Sequence, residues 1–233
     1  MKTRIMLVAL AATMLLSGCK KMMKDVVEPS EKHVKKECKV DAFEKIKTTS
    51  AIKVVYMQTE GEQKVVLDVP ENIINMVDVN VHDKELEVSF TRGGINGSHN
   101  TTLYVSAPSV RSFKASSVGS IVLTNGVKTD GEVAIKASSA ANVIVEKPIY
   151  AKLIYIDASS AATVDVAGAK AETFRVEASS AATIDIDGIF AKTLSAEASS
   201  AATITLDGQC DIFSNKSSSA GEVNAKRLKA KQQ

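Results

Sequence analysis

One phrase recurs along this chain. It reads "DASSAATVDVAG" from Asp157 to Gly168, "EASSAATIDIDG" from Glu177 to Gly188 and "EASSAATITLDG" from Glu197 to Gly208. With the first Ser of each pair as anchor, Ser116, Ser138, Ser159, Ser179, Ser199 and Ser218 follow one another at intervals of 22, 21, 20, 20 and 19 residues. A period near 20 held this long is the mark of a solenoid, in which each repeat buries its apolar face only against its neighbours.

The residues between anchors say what kind of solenoid. Val133, Ile154, Phe174 and Leu194 stand five before the anchor, and Ile135, Ile156, Val176 and Ala196 three before. Val143, Val164, Ile184 and Ile204 stand five after, and Val145, Val166, Ile186 and Leu206 seven after. Apolar and polar residues alternate at period two on both sides, which is strand periodicity. Each repeat therefore predicts two short strands joined at "SSAA", with a return holding Gly168, Gly188 or Gly208. The expected fold is all-β: a parallel β-helix of about 20 residues per coil, its rungs about 4.8 Å apart. Aromatic residues are only 4% of the chain and Trp is absent, which suits a thin core of stacked Ala, Val and Ile. "SSAA" reads as a corner, with Ser hydroxyls expected to bond backbone groups there. Ala181 is expected to face into that corner, where a Glu would not fit.

Before the repeat, alternation is weaker. Ile52-Val54-Tyr56, Val65-Leu67-Val69, Val77-Val79-Val81, Leu86-Val88-Phe90 and Leu103-Val105 each read as a strand, and "PENIIN" as one helical turn behind Pro70. These observations divide the chain into a leader over 1–18, a charged tether over 19–37 and a β-helix over 38–233. Irregular leading coils are expected over 38–106 and regular ones over 107–233.

The leader has Lys2 and Arg4, an apolar run from Ile5 to Leu16, and then Leu16-Ser17-Gly18-Cys19. The run is short for a membrane span. The pattern resembles a bacterial lipoprotein signal, which implies acylation of Cys19 and a membrane held through that lipid. The formal charge is +2, and setting aside the two leader cations leaves basic and acidic side chains balanced at 27 each. That balance lacks the basic excess of a nucleic-acid binder.

Chemistry-bearing residues are sparse. The repeated Ser pairs have no His or Lys recurring beside them as base, so no catalytic residue is assigned. His33, His82 and His99 lack ligand spacing, so no metal or other cofactor is assigned. Outward acids form columns (Asp157, Glu177, Glu197; Asp165, Asp185; Asp187, Asp207) that read as solvated charges near lysines. Thr163, Thr183 and Thr203 read as an ordinary outward ladder. Tyr150 and Tyr155 are the one pair of rings that could stack on sugar, and read as packing. Cys210 falls in the column of Ala151, Ala171 and Ala191, a small inward position remote from Cys38.

The leader, the start "CKVDAFEKIKTTSAIKVVYMQTEGE", the middle "VDVNVHDKELEVSF" and the "SSA" coils together resemble the bacterial family known as putative auto-transporter adhesin, head GIN domain. The resemblance implies a right-handed β-helix at the cell envelope and carries no catalytic or binding residue with it. The expected function is a non-enzymatic envelope lipoprotein, outer-membrane anchored, offering a repetitive surface to glycans or surface proteins. Which membrane face it occupies stays open. Two alternatives stand beside it: a polysaccharide-active enzyme on the same fold, and an envelope scaffold that associates with itself.

Overall fold

The computed structural model describes residues 26–91 and 94–232. The leader and Cys19 lie outside the described residues. The body is a parallel β-solenoid of about six turns. Its first face stacks Lys45–Thr48, Ser112–Ala115, Glu132–Ala137 and Leu153–Ala158, and continues into the long strands Ala169–Ala178, Thr183–Ala198 and Thr203–Ser217. Its second face stacks Lys53–Gln58, Ser120–Leu123, Asn142–Val145 and Thr163–Val166, then the starts of the next long strands. The register pairs like with like: Val164 lies against Ile184, Ile154 against Phe174, and Ile184 against Ile204. All of these are buried, so the columns expected from the repeat are the core. Near the N-terminal end of the stack, Tyr56 supplies bulk. Its ring meets Phe113 at 5.1 Å, and its hydroxyl donates to the Ala107 carbonyl at 3.0 Å.

The "SSAA" corner is a type I′ turn. In Ser159-Ser160-Ala161-Ala162 the two central residues have φ of 54° and 59°, and the Ala162 amide donates to the Ser159 carbonyl at 3.2 Å. Left-handed backbone costs a residue with a Cβ roughly 1–2 kcal/mol. The stack offsets this with a bond from each corner to the next. Ala140 N–H donates to Ser160 O, Ala161 N–H to Ser180 O and Ala181 N–H to Ser200 O, each at 2.9 Å. The corner thus differs from expectation in two ways. Backbone amides, rather than Ser hydroxyls, join the corners. Ala181 points to solvent, and it is Ala182, 1% exposed, that fills the inside of the turn. The physical reason is the doubled left-handed turn, which throws its two central side chains outward.

Two expectations for the leading segment also change. Part of the expected tether is folded: Val26–Val27 pairs with Gly94–Ile95, and His33–Glu37 lies antiparallel on Lys64–Pro70. The residues over 38–106 are not coils in chain order. Glu85–Phe90 stacks outside Lys45–Thr48, and Thr102–Ala107 outside Lys53–Gln58, so the second pair of strands in sequence forms the outer rung. The chain reaches it through Lys64–Pro70, antiparallel to Thr102–Ala107, then a 3-10 turn over Glu71–Met76. A hairpin of Val77–His82 and Glu85–Phe90 follows. That hairpin turns at Asp83 and Lys84, again with positive φ. The antiparallel strand His33–Glu37, bearing Lys35, Lys36 and Glu37, edges this end, a common protection against edge pairing. No helix among the described residues is long and apolar enough to cross a membrane.

Candidate functional site

Each coil bends a third time, between a short return strand and the next first-face strand. Small residues stack at this bend: Ala171 on Ala191, Ala191 on Cys210 and Cys210 on Ala230, with Ala151 one coil earlier. Small side chains make a low floor. Taller residues rise on both sides, and the result is a groove of about 620 Å³ running along the coil axis.

One wall is formed by Lys170, Phe190, Gln209 and Lys229, paired rung to rung, and the same column continues beyond the groove through Tyr150 and Lys128. Tyr150 is 47% exposed and Phe190 51%. The Lys170 ammonium lies 5.4 Å from the centre of the Phe190 ring, a cation–π contact. Among the described residues, Lys128, Lys170 and Lys229 have no carboxylate at ion-pair distance. The opposite wall is neutralised: Lys192 faces Glu172 at 3.6 Å and Lys231 faces Asp211 at 2.8 Å. A second hollow of about 650 Å³ opens on the neighbouring first face around Leu153, Tyr155, Thr173 and Arg175.

The sequence pairing of Tyr150 with Tyr155 does not survive. Tyr155 belongs to the first face, where its hydroxyl donates to Glu177 at 3.0 Å; crowding by its neighbours and this carboxylate hold the phenol protonated well above its usual range. Tyr150 is instead in column with Phe190, two rungs on. The sequence carries the signal: both stand nine residues before an anchor, Ser159 and Ser199.

The other singled-out residues are placed as follows. Asp165 and Asp185 are in register on the second face, and desolvation, then the Asp185 charge, pushes the Asp165 carboxyl up. Asp187 and Asp207 share Arg227, whose two terminal nitrogens reach one carboxylate each at 3.4 Å. Thr163, Thr183 and Thr203 form a continuous ladder with Asn142. His33 contacts Asp68 at 2.9 Å, and His99 packs edge-on against Phe90 at 4.7 Å. No group of three or more His, Cys, Asp or Glu among the described residues is arranged to hold a metal ion. Cys38 and Cys210 are free thiols, Cys210 buried in the floor of the groove.

The family described as "Putative auto-transporter adhesin, head GIN domain" matches residues 42–169 and 149–233. Among solved structures, a putative adhesin from Bacteroides fragilis NCTC 9343 superposes with a TM-score of 0.72 at 19% identity, covering 88% of this chain and 96% of that one. A putative adhesin from Parabacteroides distasonis ATCC 8503 gives 0.71 at 16% identity, covering 88% and 97%. A second protein from the same organism, described as a putative lipid binding protein, gives 0.58 at 11% identity, covering 85% and 98%. At such identities these likenesses bear on the fold. No curated protein matches the chain.

Proposed function

We propose that this chain, which belongs to the head GIN domain family of putative auto-transporter adhesins, is a non-enzymatic adhesion module of the cell envelope. In this reading it is held by a lipid on Cys19, and its axial groove takes extended acidic glycan chains. The observation that carries the proposal is the interleaving of exposed rings and unpaired lysines along one column: Lys128, Tyr150, Lys170, Phe190, Gln209, Lys229. Rungs about 4.8 Å apart advance by close to the length that one sugar ring adds to an extended chain. Tyr150 and Phe190 would then stack on alternate sugars, while Lys170 and Lys229 meet carboxylates or sulfates. Each contact is weak, and affinity comes from several engaged together. A groove that repeats along its length suits holding a polymer better than cutting it at one place.

The test is calorimetric titration of the chain from Lys20 onward with a polymer of alternating uronate and hexosamine, against a neutral dextran of equal length. Binding to the first that falls with salt and drops at least tenfold in a Phe190→Ala, Lys170→Ala variant is expected. Equal behaviour of both polymers, or turnover of the uronate chain, would overturn the reading. Protease treatment of intact and lysed cells tests the envelope assignment separately, since loss from intact cells places the solenoid outside and protection until lysis places it in the periplasm.

A further inference from the structure

The outward column two residues before the corner anchor runs the whole length of the first face. In spatial order it reads Glu87, Lys47, Lys114, Lys136, Asp157, Glu177, Glu197, Lys216. Charges of one sign are stacked in blocks. Like charges in adjacent rungs repel, and alternation would have removed that cost. The segregated order has a different property: it is antisymmetric about the step from Lys136 to Asp157. Counting outward from that step, Lys136 is matched by Asp157, Lys114 by Glu177, Lys47 by Glu197 and Glu87 by Lys216. Every match is of opposite charge.

The next outward column shows the same centre in size instead of charge. It reads Glu85, Lys45, Ser112, Ala134, Tyr155, Arg175, Ser195, Ser214. About the same step, Ala134 is matched by Tyr155, Ser112 by Arg175, Lys45 by Ser195 and Glu85 by Ser214. Every long side chain falls opposite a short one, and no like charges meet.

A two-fold axis parallel to the strands and passing through that step converts both patterns into contacts. It lays a second copy face to face with the first, coil axes antiparallel, each column against itself with its rungs reversed. This is the self-complementarity that an isologous interface requires. We infer that the first face is a homophilic surface, on which two copies of this chain pair antiparallel through the Lys47–Lys114–Lys136 and Asp157–Glu177–Glu197 blocks. Among the described residues the three acids have no cationic partner at ion-pair distance in the single chain. Lys47 and Lys114 are held meanwhile by Glu87 at 3.0 Å and Glu85 at 2.6 Å, and Lys136 lies over the Tyr155 ring. Pairing is therefore an exchange of partners for two lysines and a gain for the three carboxylates. Antiparallel pairing also sends the two N-terminal ends in opposite directions. Resting on the envelope-anchored reading above, the pair would bridge two facing membranes, so that cells carrying this protein adhere to one another.

Sedimentation of the chain from Lys20 onward tests the pairing. That chain contains every buried core residue, from Phe43 to Leu228. A dimer in dilute buffer that dissociates in high salt is expected. Two charge-reversed proteins decide the geometry: Lys114→Glu with Lys136→Glu, and Asp157→Lys with Glu177→Lys. Each alone should be monomeric, and their mixture should dimerise again, since both halves of the mixed pair are complementary. A monomeric wild type, or reversed proteins that dimerise alone, overturns the inference. Should a reversed protein fail to fold, carbodiimide coupling of the wild type still decides. Lys47 and Glu197 are five rungs apart, about 24 Å at the usual strand spacing, so a Lys47–Glu197 linked peptide arises only between two chains. Its absence from the dimer band overturns the arrangement. Vesicles bearing the acylated full chain test the bridging separately. Clustering at low salt supports it, and a dimer in solution without clustering overturns the bridging alone.

Discussion

The amide of Ala181 donates to the carbonyl of Ser200, one coil away, at 2.9 Å, although both residues sit in left-handed backbone. The same bond links successive corners along the stack, so the turn is strained in each coil and satisfied between coils. The side chains at this turn divide by position. Ala181 is exposed and Ala182 is 1% exposed. Ala181→Glu should shift stability by no more than about 0.5 kcal/mol, as surface substitutions do. Ala182→Glu buries an unpaired carboxylate and should cost about 3 kcal/mol or more. Thermal melts followed by circular dichroism separate the two, and equal melting points would refute this assignment of inside and outside.

The return bend carries its own requirement at Gly208. Its φ is +132°, and a Cβ there would lie 2.2 Å from the Ile189 carbonyl oxygen. The neighbouring register slips between Ile186 and Ile189, so the backbone bulges where the two coils cross. Gly208→Ala should destabilise by about 2 kcal/mol, through strain and backbone displacement together. A urea midpoint unchanged from wild type would show that the bulge relaxes freely.

Asp165 gives a pH dependence of stated sign. Desolvation and then the adjacent Asp185 raise its carboxyl above the ordinary value. An acid whose folded pKa is raised stabilises the fold relatively at pH below its unfolded value, and loses that advantage as pH rises through the folded value. At neutral pH the charge is therefore slightly unfavourable. Asp165→Asn should stabilise by a few tenths of a kcal/mol at pH 7, discounted for its exposure, and by nothing at pH 3. Denaturation midpoints of both proteins at the two pH values check this, and a gain at pH 3 that is absent at pH 7 would reverse the sign.

The two thiols should differ in access. Burial pushes both above the ordinary cysteine value, Cys210 also through the Asp211 charge, so neither reacts fast at neutral pH. Cys38 is half-buried at the closed end, whereas Cys210 is 4% exposed beneath the groove. In alkaline buffer an aromatic disulfide reagent should modify Cys38 at least about 100 times faster, because Cys210 waits on opening of the coil. Similar rates would mean that the groove floor opens locally.

The regular coils were legible because strand period and coil period are both short and repeat without interruption. Val164, Ile184 and Ile204 announce their own column. Cys210 was placed by the same alignment. The corner was located but misread, since φ is invisible in the letters and Ser-Ala is an unusual pair for a type I′ turn. The Tyr150–Phe190 column was missed because its members differ in kind from rung to rung, and only their position is repeated. The leading segment was hardest: the alternation of Glu85–Phe90 and of Lys45–Thr48 gives two strands, and nothing in either says which lies outside the other.

That inversion of order governs how the chain can be assembled. The inner strands Lys45–Thr48 and Lys53–Gln58 leave the ribosome first, yet their outer neighbours are complete only when Ala107 has been made. A nascent chain shorter than this has no finished end plate on which to wind. Beyond it, the coil holding Ser112–Ala115 and Ser120–Leu123 returns to the inner strands, and each later coil is laid on the one just synthesised, so contacts become local and growth is one-directional. A duplication of some 20 residues after Ala107 would lengthen the rod by one turn at no topological cost. The same duplication before Ala107 would break the plate from which winding starts.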